Sequence, residues 1–497
     1  MKKVILINDS YLENLSVRYL GAYLKHKGYG LATVHCGGKK DEVFNLLPDE
    51  SLASLAEYCR GYDLVGISLL TTHQLNRAVQ INNYLKRTVN VKIIWGGVPV
   101  ICDPRFYLKY ADYVCIGEGE TVMEQLLEGS SPADIPGLGY RDGDGGVVLN
   151  SIPPLLDLNV LPIPHLDVED GYILRDGELI PLERELGRLI RYSILSVRGC
   201  PYSCSYCLNS RLKKLFSKKG PYIRHISTLR VIEELEWAKK NLPRLKEIIF
   251  DDDDFFLRTE KDLKNLLDAY VQHIDLPIFF IQSNIKQITE SKVQLILDHG
   301  IQLGHFHIGL QSASHRTNAT VFNRDFNKKT FVRTVKMLAS KQIKMTLHVI
   351  SDNPYENVHD KYESLLFYHD VIRELKKVST VDVPVEIYDH KLMFYPGAAL
   401  YAQARHDGKI PADYIENVLL KRNTMRTHAD DMDNDAFLVT LFNAAVKKGI
   451  FSWFAYGVFK VLRIKPLFNL MMRYNLLQRG YRLVEKAKAF MDPRDNL

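Results

Sequence analysis

The chain reads as an α/β protein: two successive strand–helix blocks and a helical C-terminal region. Three observations predict this. Within residues 1–150, short apolar runs alternate with stretches of helical periodicity. The alternation resumes between about 192 and 396, now with polar residues directly after each apolar run. Beyond about 400 the strand pattern stops and helical patterning takes over. A chain of 497 residues, 46% hydrophobic and 25% charged, has the composition of an ordinary globular protein and length enough for two to four domains.

In the first block the apolar runs are 4–7, 31–35, 64–69, 92–95 and 113–116, with helical patterns such as 19–27 and 75–86 between them. Strands that alternate with helices imply a parallel, doubly wound, Rossmann-like sheet. Such sheets bind ligands beyond the carboxyl ends of their strands. Three loops sit there, and they supply candidate ligand contacts: Ser68, Thr71 and Thr72; Gly96, Gly97 and Val98; and Gly117, Glu118 and Gly119. The proline-punctuated stretch 151–190, with Pro153-Pro154, Pro162 and Pro164, reads as a linker. The second block, 191–400, has apolar runs at 193–196, 247–250, 278–282, 305–308 and 346–350. Residues 401–497 form the helical remainder.

The run from Ser196 to Cys207, Ser-Val-Arg-Gly-Cys-Pro-Tyr-Ser-Cys-Ser-Tyr-Cys, groups Cys200, Cys204 and Cys207 within eight residues. A cubane iron–sulfur cluster that only carries electrons takes four cysteines, so three leave one iron open. A zinc site would need a fourth Cys or His, and the next histidine, His225, stands in no zinc-finger spacing. The other four cysteines, Cys36, Cys59, Cys102 and Cys115, lie singly among apolar residues, as core thiols do.

The three-cysteine run, with Tyr206 at its aromatic position, resembles the signature of radical SAM enzymes. The resemblance implies a partial (β/α)6 TIM-like barrel over 191–400, a [4Fe-4S] cluster on Cys200, Cys204 and Cys207, and S-adenosylmethionine bound to the open iron. In that family, reductive cleavage of S-adenosylmethionine yields a 5′-deoxyadenosyl radical that removes a hydrogen atom from an unactivated carbon. The run Asp251-Asp252-Asp253-Asp254-Phe255-Phe256 resembles a variant of the family's second-strand loop for the amino group of S-adenosylmethionine; the resemblance leaves open which of the four makes the contact, with Asp252 and Asp253 the candidates. Ser283 falls at the end of the third strand. Gln311 and Ser312 match the fourth-strand segment, and Asp352 and Pro354 the fifth-strand loop near the adenine. Phe394-Tyr395-Pro396-Gly397 matches the closing motif of the cobalamin-dependent branch.

The first block also resembles that branch, through 63–68, Gly96-Gly97, Asp103-Pro104 and Gly117-Glu118-Gly119-Glu120. This resemblance implies cobalamin on the three loops named above. There is no Asp-x-His-x-x-Gly motif, so no histidine is offered as a lower cobalt ligand, as is usual in the branch. Where relatives commonly have Pro-His after the glycine pair, this chain has Val98-Pro99-Val100. His305, His307 and His348 lie in or beside second-block strands, where a packed histidine is the commoner outcome.

The implied function is radical SAM chemistry, with methylation of an unactivated carbon through methylcobalamin leading. The alternatives are cyclisation, rearrangement or oxidation on the same core, and a non-catalytic cobalamin- or metal-binding protein. The substrate is a small molecule, lipid-like compound or peptide, and the electron donor a flavodoxin or ferredoxin. A net charge of +6 is modest at this length and gives no reason to expect nucleic acid. The opening residues carry no leader pattern, and an oxygen-labile cluster needs reducing conditions, so a cytoplasmic location is expected. From Lys447 to Lys488 ten Lys or Arg stand against one acid, and 449–459 is uncharged and aromatic. This suits a peripheral membrane contact, an acidic partner, a substrate lid, or a helical cap with a solvated basic face.

Overall fold

The computed structural model describes residues 2–8, 14–37, 46–164, 169–378, 385–420, 434–446, 450–474 and 476. They form two compact units, the first built from 1–253, 265–276 and 394–425, the second from 254–264, 277–393 and 426–497.

The first unit begins with β1 (Lys3–Asn8), α1 (Leu15–His26), β2 (Gly30–His35), α2 (Asp49–Cys59), β3 (Leu64–Ser68), α3 (Leu75–Thr88) and β4 (Lys92–Gly96). The short helices α4 (Val98–Cys102) and α5 (Pro104–Tyr107) precede β5 (Tyr113–Cys115), α6 (Gly119–Glu128), β6 (Leu138–Arg141) and β7 (Val147–Leu149). Asn14 caps α1 by accepting from the Ser16 and Val17 N–H groups at 3.0 and 3.4 Å, which satisfies donors the helix itself leaves free. The apolar runs expected to be strands are strands because both faces of the sheet are covered: Val4, Leu6, Leu64, Ile94, Val122 and Leu138 share one core. Each such side chain stabilises the unit by about 1.5–3 kcal/mol through area removed from water.

Residues 169–190, expected as linker, contain a hairpin, β8 (Gly171–Arg175) and β9 (Glu178–Pro181), and the short helix α7 (Glu183–Leu186). Asp176 and Gly177 both hold positive φ, 51° and 78°, the two-residue turn that suits the twist of a hairpin. β8 pairs in parallel with β2 and gives a nine-stranded sheet ordered β7-β6-β5-β4-β3-β1-β2-β8-β9. Six central strands are parallel, and β6, β7 and β9 join at the edges through antiparallel pairings, so that β6 and β9 run against the central strands and β7 with them.

The same unit holds β10 (Arg191–Ile194), β11 (Val197–Arg198), α8 (Leu208–Leu215), β12 (Arg224–His225), α9 (Thr228–Asn241) and β13 (Glu247–Phe250). β10 and β13 pair in parallel, with Ile194 opposite Phe250, and β11 pairs antiparallel with β12. A buried cluster ties α1 to β10 and α9: Arg18 reaches the Glu234 carboxylate at 3.0 Å and also bonds the Tyr192 hydroxyl. Burial pushes Glu234 up to about 7 despite the opposing Arg18 charge.

α10 (Glu260–His273) is divided between the units. The second unit continues with β14 (Ile278–Ser283), α11 (Glu290–Asp298), β15 (Leu303–Gln311), α12 (Lys328–Ser340), β16 (Met345–Ser351), α13 (Val358–Val378) and β17 (Val385–Lys391). β14 to β17 form a parallel sheet in chain order. On β15, Phe306, Ile308 and Leu310 are buried while His305, His307 and Gly309 take the other face. α14 (Ala399–His406) returns to the first unit. α15 (Asn434–Val446), α16 (Ile450–Leu462) and α17 (Lys465–Arg473) complete the second. The Asn443 side chain accepts from Ile387 N–H at 2.7 Å and donates to Ile387 O at 2.8 Å, taking up backbone groups of β17 that no further strand pairs among the described residues.

Candidate functional site

Cys200, Cys204 and Cys207 are free and half-buried on the loop between β11 and α8. Gly199 sets the loop's entry with φ +102°; a Cβ there would lie 2.4 Å from the Tyr222 carbonyl oxygen, so no other residue fits. The Cys207 N–H donates to Cys204 O at 3.2 Å, and Leu400 N–H donates to Ser205 O at 2.9 Å. Burial pushes the Cys200 thiol up to about 12 and the Cys207 thiol up to about 11, so thiolate forms there only beside a compensating cation such as iron. Among the described residues no three His, Cys, Asp or Glu converge on a single metal ion. Three thiols around a cubane attach to three different irons and need not converge. The donor set fits a cluster with one open iron. Tyr206, between the second and third cysteines, is half-buried.

Three of the four aspartates divide their roles. Asp252 is fully buried, and its carboxylate accepts from Ser196 N–H (2.6 Å), Ser196 Oγ (2.6 Å) and Val197 N–H (2.8 Å). It therefore clasps the backbone that leaves β10 for the cysteine loop. Asp253 keeps exposed surface and accepts from Asn209 Nδ2 at 2.8 Å. Enclosure by protein raises its carboxyl, and its charge acts on Cys200 and Cys207. In the second unit the Ser283 hydroxyl bonds to Asp254, whose other oxygen, Oδ2, is buried and has no partner. Burial pushes Asp254 up to about 7.

Backbone strain collects at the carboxyl ends of β15 and β16. Gln311, at a register shift in the pairing of those strands, has φ +64°, and Asp352 has φ +53°. Ser312 Oγ donates to Glu356 at 2.6 Å. Asp352 and Pro354 are exposed, and beside them Ser351 Oγ and Asn353 Nδ2 are buried without partners. Unsatisfied buried groups beside a strained loop fit a polar ligand there. Ser351 and Asn353 were not singled out from sequence, where an isolated Ser or Asn gives no signal.

On the first unit's loops, Ser68 accepts from Asn14 Nδ2 at 3.2 Å, Asn14 donates to Asn8 at 2.9 Å, and Asn8 meets His35 Nδ1 at 3.1 Å. The Thr71 N–H donates to Gln74 at 3.2 Å, and Thr72 Oγ1 is buried with no partner, an acceptor and donor left for a ligand. Gly96 O accepts from Leu69 N–H at 2.9 Å. A Cβ on Gly97, at φ +103°, would stand 1.9 Å from Leu69 O, so this glycine answers first to the protein's own backbone. Gly117 and Gly119 flank Glu118, which is committed to protein: Arg224 at 2.7 and 3.1 Å, Arg198 at 3.3 Å and Leu156 N–H at 2.8 Å. Burial pushes the Glu118 carboxyl up, but the Arg224 and Arg198 charges outweigh that and hold it below the usual range.

Val98 and Ile101 of α4 pack with Cys102 against Leu208, Leu212 and Phe216 at α8. The helix that follows the Gly96-Gly97 turn thus shares a small core with the helix that follows the three cysteines. A separate cavity of about 420 Å³, lined in part by Arg18, Lys25, Thr33, His35, Ile163 and Trp237, includes none of the candidate cofactor residues. In the second unit, His348 meets His390 Nε2 at 2.8 Å and His307 Nδ1 at 3.2 Å, and Phe280 stacks on His307 at 4.5 Å. Burial pushes His307 down to about 4 and His348 down to about 3, so this chain of imidazoles is neutral near pH 7.

A Rossmann-like domain is followed by a three-thiol loop just beyond the parallel pair β10 and β13. Comparison with known proteins agrees. Residues 2–127 match the family model of the B12 binding domain, and residues 194–367 that of the radical SAM superfamily. The chain belongs to the radical SAM proteins that carry a B12-binding domain. It is 28% identical over 287 residues to an uncharacterized methyltransferase of Pyrococcus horikoshii, covering 55% of this chain and 57% of that protein. It is 31% identical over 170 residues to the cobalamin-dependent radical SAM methyltransferase TokK of Streptomyces tokunonensis, covering 31% of this chain and 22% of TokK. The chain thus spans less than two thirds of either curated relative. Its fold is that of the radical S-adenosylmethionine methyltransferase TsrM from Kitasatospora setae (TM-score 0.64, 16% identity, 82% of this chain and 76% of TsrM). That structure was determined with tryptophan substrate and a SAM analogue bound. The cobalamin-dependent S-adenosylmethionine radical enzyme OxsB shares it too (TM-score 0.63, 13% identity, 93% of this chain and 71% of OxsB).

Proposed function

We propose that this protein is a cobalamin-dependent radical SAM methyltransferase acting on an unactivated carbon of a small molecule. The observation that carries the proposal is the core shared by α4 and α8, which couples the corrinoid-side turn to the cysteine loop within one unit. When bound, the cofactors supply hydrogen-atom abstraction from an unreactive carbon and a transferable methyl group, chemistry no side chain offers. The chain's own part is to hold and orient. Cys200, Cys204 and Cys207 hold the cluster, on a loop that Asp252 fastens to β10 and β13. Asp253, the aspartate with exposed surface and electrostatic reach to the cysteines, receives the amino group of S-adenosylmethionine. Within the second unit, Gln311, Asp352, Pro354, Ser351 and Asn353 offer polar atoms for a ligand at the carboxyl ends of β15 and β16. Asp252, Ser283 and Ser312 act one step back, since their polar groups are engaged with protein. Ser68, Thr71, Thr72, Gly96, Gly97 and Val98 hold the corrinoid, while Glu118, between Gly117 and Gly119, braces the loop beside it. The face of His305, His307, His348, Tyr388 and His390 receives the substrate. A flavodoxin- or ferredoxin-type donor supplies the electron, and the location is cytoplasmic.

The test is anaerobic reconstitution with iron, sulfide, cobalamin and reductant. Wild-type protein should form 5′-deoxyadenosine, and with a substrate present it should form S-adenosylhomocysteine in about equal amount. A triple Cys200→Ala, Cys204→Ala, Cys207→Ala variant should lose iron and deoxyadenosine formation. Full cleavage by that variant would overturn the cluster assignment. Deoxyadenosine with a product of unchanged carbon count would replace methylation by rearrangement or oxidation.

A further inference from the structure

The inner face of α16 is docked: Ser452, Ala455, Phe459 and Leu462 are buried, and Ser452 Oγ donates to Ala445 O at 2.7 Å. Tyr456 stacks on His369 of α13 at 5.4 Å, and Tyr362 of the same helix donates to Arg463 O at 2.6 Å. α17 buries Phe468 and Met472. These helices are therefore held in place, and what they expose is set by the fold. The outer face carries Trp453 at 80% and Phe454 at 68% exposure, followed by Val461, Ile464, Leu470 and Tyr474. Lys460, Arg463, Lys465 and Arg473 are also exposed, and the sequence from 450 to 474 contains no Asp or Glu.

We propose that this face docks on an anionic lipid surface, with α16 lying in the interface and Trp453 and Phe454 entering the headgroup–acyl boundary. A solvated helical cap would turn polar side chains outward, and this one turns out its largest aromatics. A second copy meeting the same face about a two-fold axis would set four cations against four, so charge complementarity favours an anionic plane. Aromatic anchors ringed by Lys and Arg, without acids, are what such an interface recognises. The geometry is in-plane: thirteen residues of helix reach about 20 Å, short of the roughly 30 Å hydrocarbon core. No helix among the described residues is long and apolar enough to cross a membrane. The basic residues after 476 lie outside the described residues and are not needed for this proposal.

Sedimentation of the full-length protein with vesicles tests it, independently of any activity. Vesicles of phosphatidylcholine with an equal part of phosphatidylglycerol should bind at low salt and release as salt rises; phosphatidylcholine alone should bind little. Lys460→Ala with Lys465→Ala should weaken binding about thirtyfold, two surface charges at about fivefold each. Trp453→Ser with Phe454→Ser should reduce it to background while leaving thermal unfolding and deoxyadenosine formation unchanged. Three results would overturn the proposal: no binding to the anionic vesicles at low salt, undiminished binding by the aromatic variant, or a wild-type dimer that the same variant makes monomeric.

Discussion

Replacing Asp252 by Ala should cost far more than one contact, because its carboxylate is shared by three donors. The side chain is fully buried, as is Ser196, so Ser196 N–H, Ser196 Oγ and Val197 N–H have no water to turn to. Hydrogen bonds to a charged acceptor contribute about 1.5–3 kcal/mol each, and stranded buried donors carry most of that cost. With incomplete additivity the loss comes to about 3–6 kcal/mol, a large share of the roughly 5–15 kcal/mol that holds a domain folded. Ser196→Ala removes one of the three bonds and should cost about 1.5–3 kcal/mol. Asp252→Asn keeps one acceptor and should fall between the two. The losses concentrate where β10 hands the chain to the cysteine loop, so iron per chain after anaerobic reconstitution should fall in the order wild type, Ser196→Ala, Asp252→Asn, Asp252→Ala. Denaturant unfolding of the apoprotein supplies the stability series beside it. Wild-type iron loading and an unchanged unfolding midpoint in Asp252→Ala would refute the clasp.

Further outcomes follow from other groups. Gly97→Ala places a Cβ against Leu69 O in a backbone region alanine avoids, and should destabilise the protein by about 2–5 kcal/mol even without corrinoid, measured by denaturant unfolding of the apoprotein. Asp254 is raised to about 7 in the fold from 3.8, so between those values the native state binds the extra proton. Its contribution is present at low pH, is lost as pH rises towards 7 and is level above that. Asp254→Asn should therefore flatten the pH–stability profile over this window and gain on the order of a few kcal/mol at pH 8 relative to wild type. Glu118→Ala leaves Arg224 and Arg198 without their carboxylate and should cost about 3 kcal/mol, read as a lower thermal midpoint.

Much of the fold was legible because its signals are local. Glu-Ile-Ile-Phe at 247–250 is a strand to the residue, and the parallel runs of the first sheet differ from expectation only at their ends. The hairpin at 171–181 was legible in principle: Asp176-Gly177 between two apolar runs is a strong turn signal, but the surrounding prolines suggested a linker. β17 was missed because Glu386, Tyr388 and His390 interrupt its buried Val385 and Ile387, so no continuous apolar run marks it. The roles of Asp252, Asp253 and Asp254 could not be separated in sequence, since adjacent residues on a turn leave it in different directions and only the fold says which direction holds Ser196. Gly97 shows the same limit. From sequence a side chain there would enter the ligand site, whereas the fold puts Leu69 in its way. The outward turn of Trp453 and Phe454 needed the docked face of α16 to be known first.

The bond from Leu400 N–H to Ser205 O joins the cysteine loop to a segment made nearly two hundred residues later. On the ribosome, the three cysteines emerge long before Leu400. Through that interval the loop has its clasp from Asp252 within reach but not its last backbone partner. A polypeptide ended before Leu400 would keep every cysteine and still lack the hydrogen bond that completes their loop.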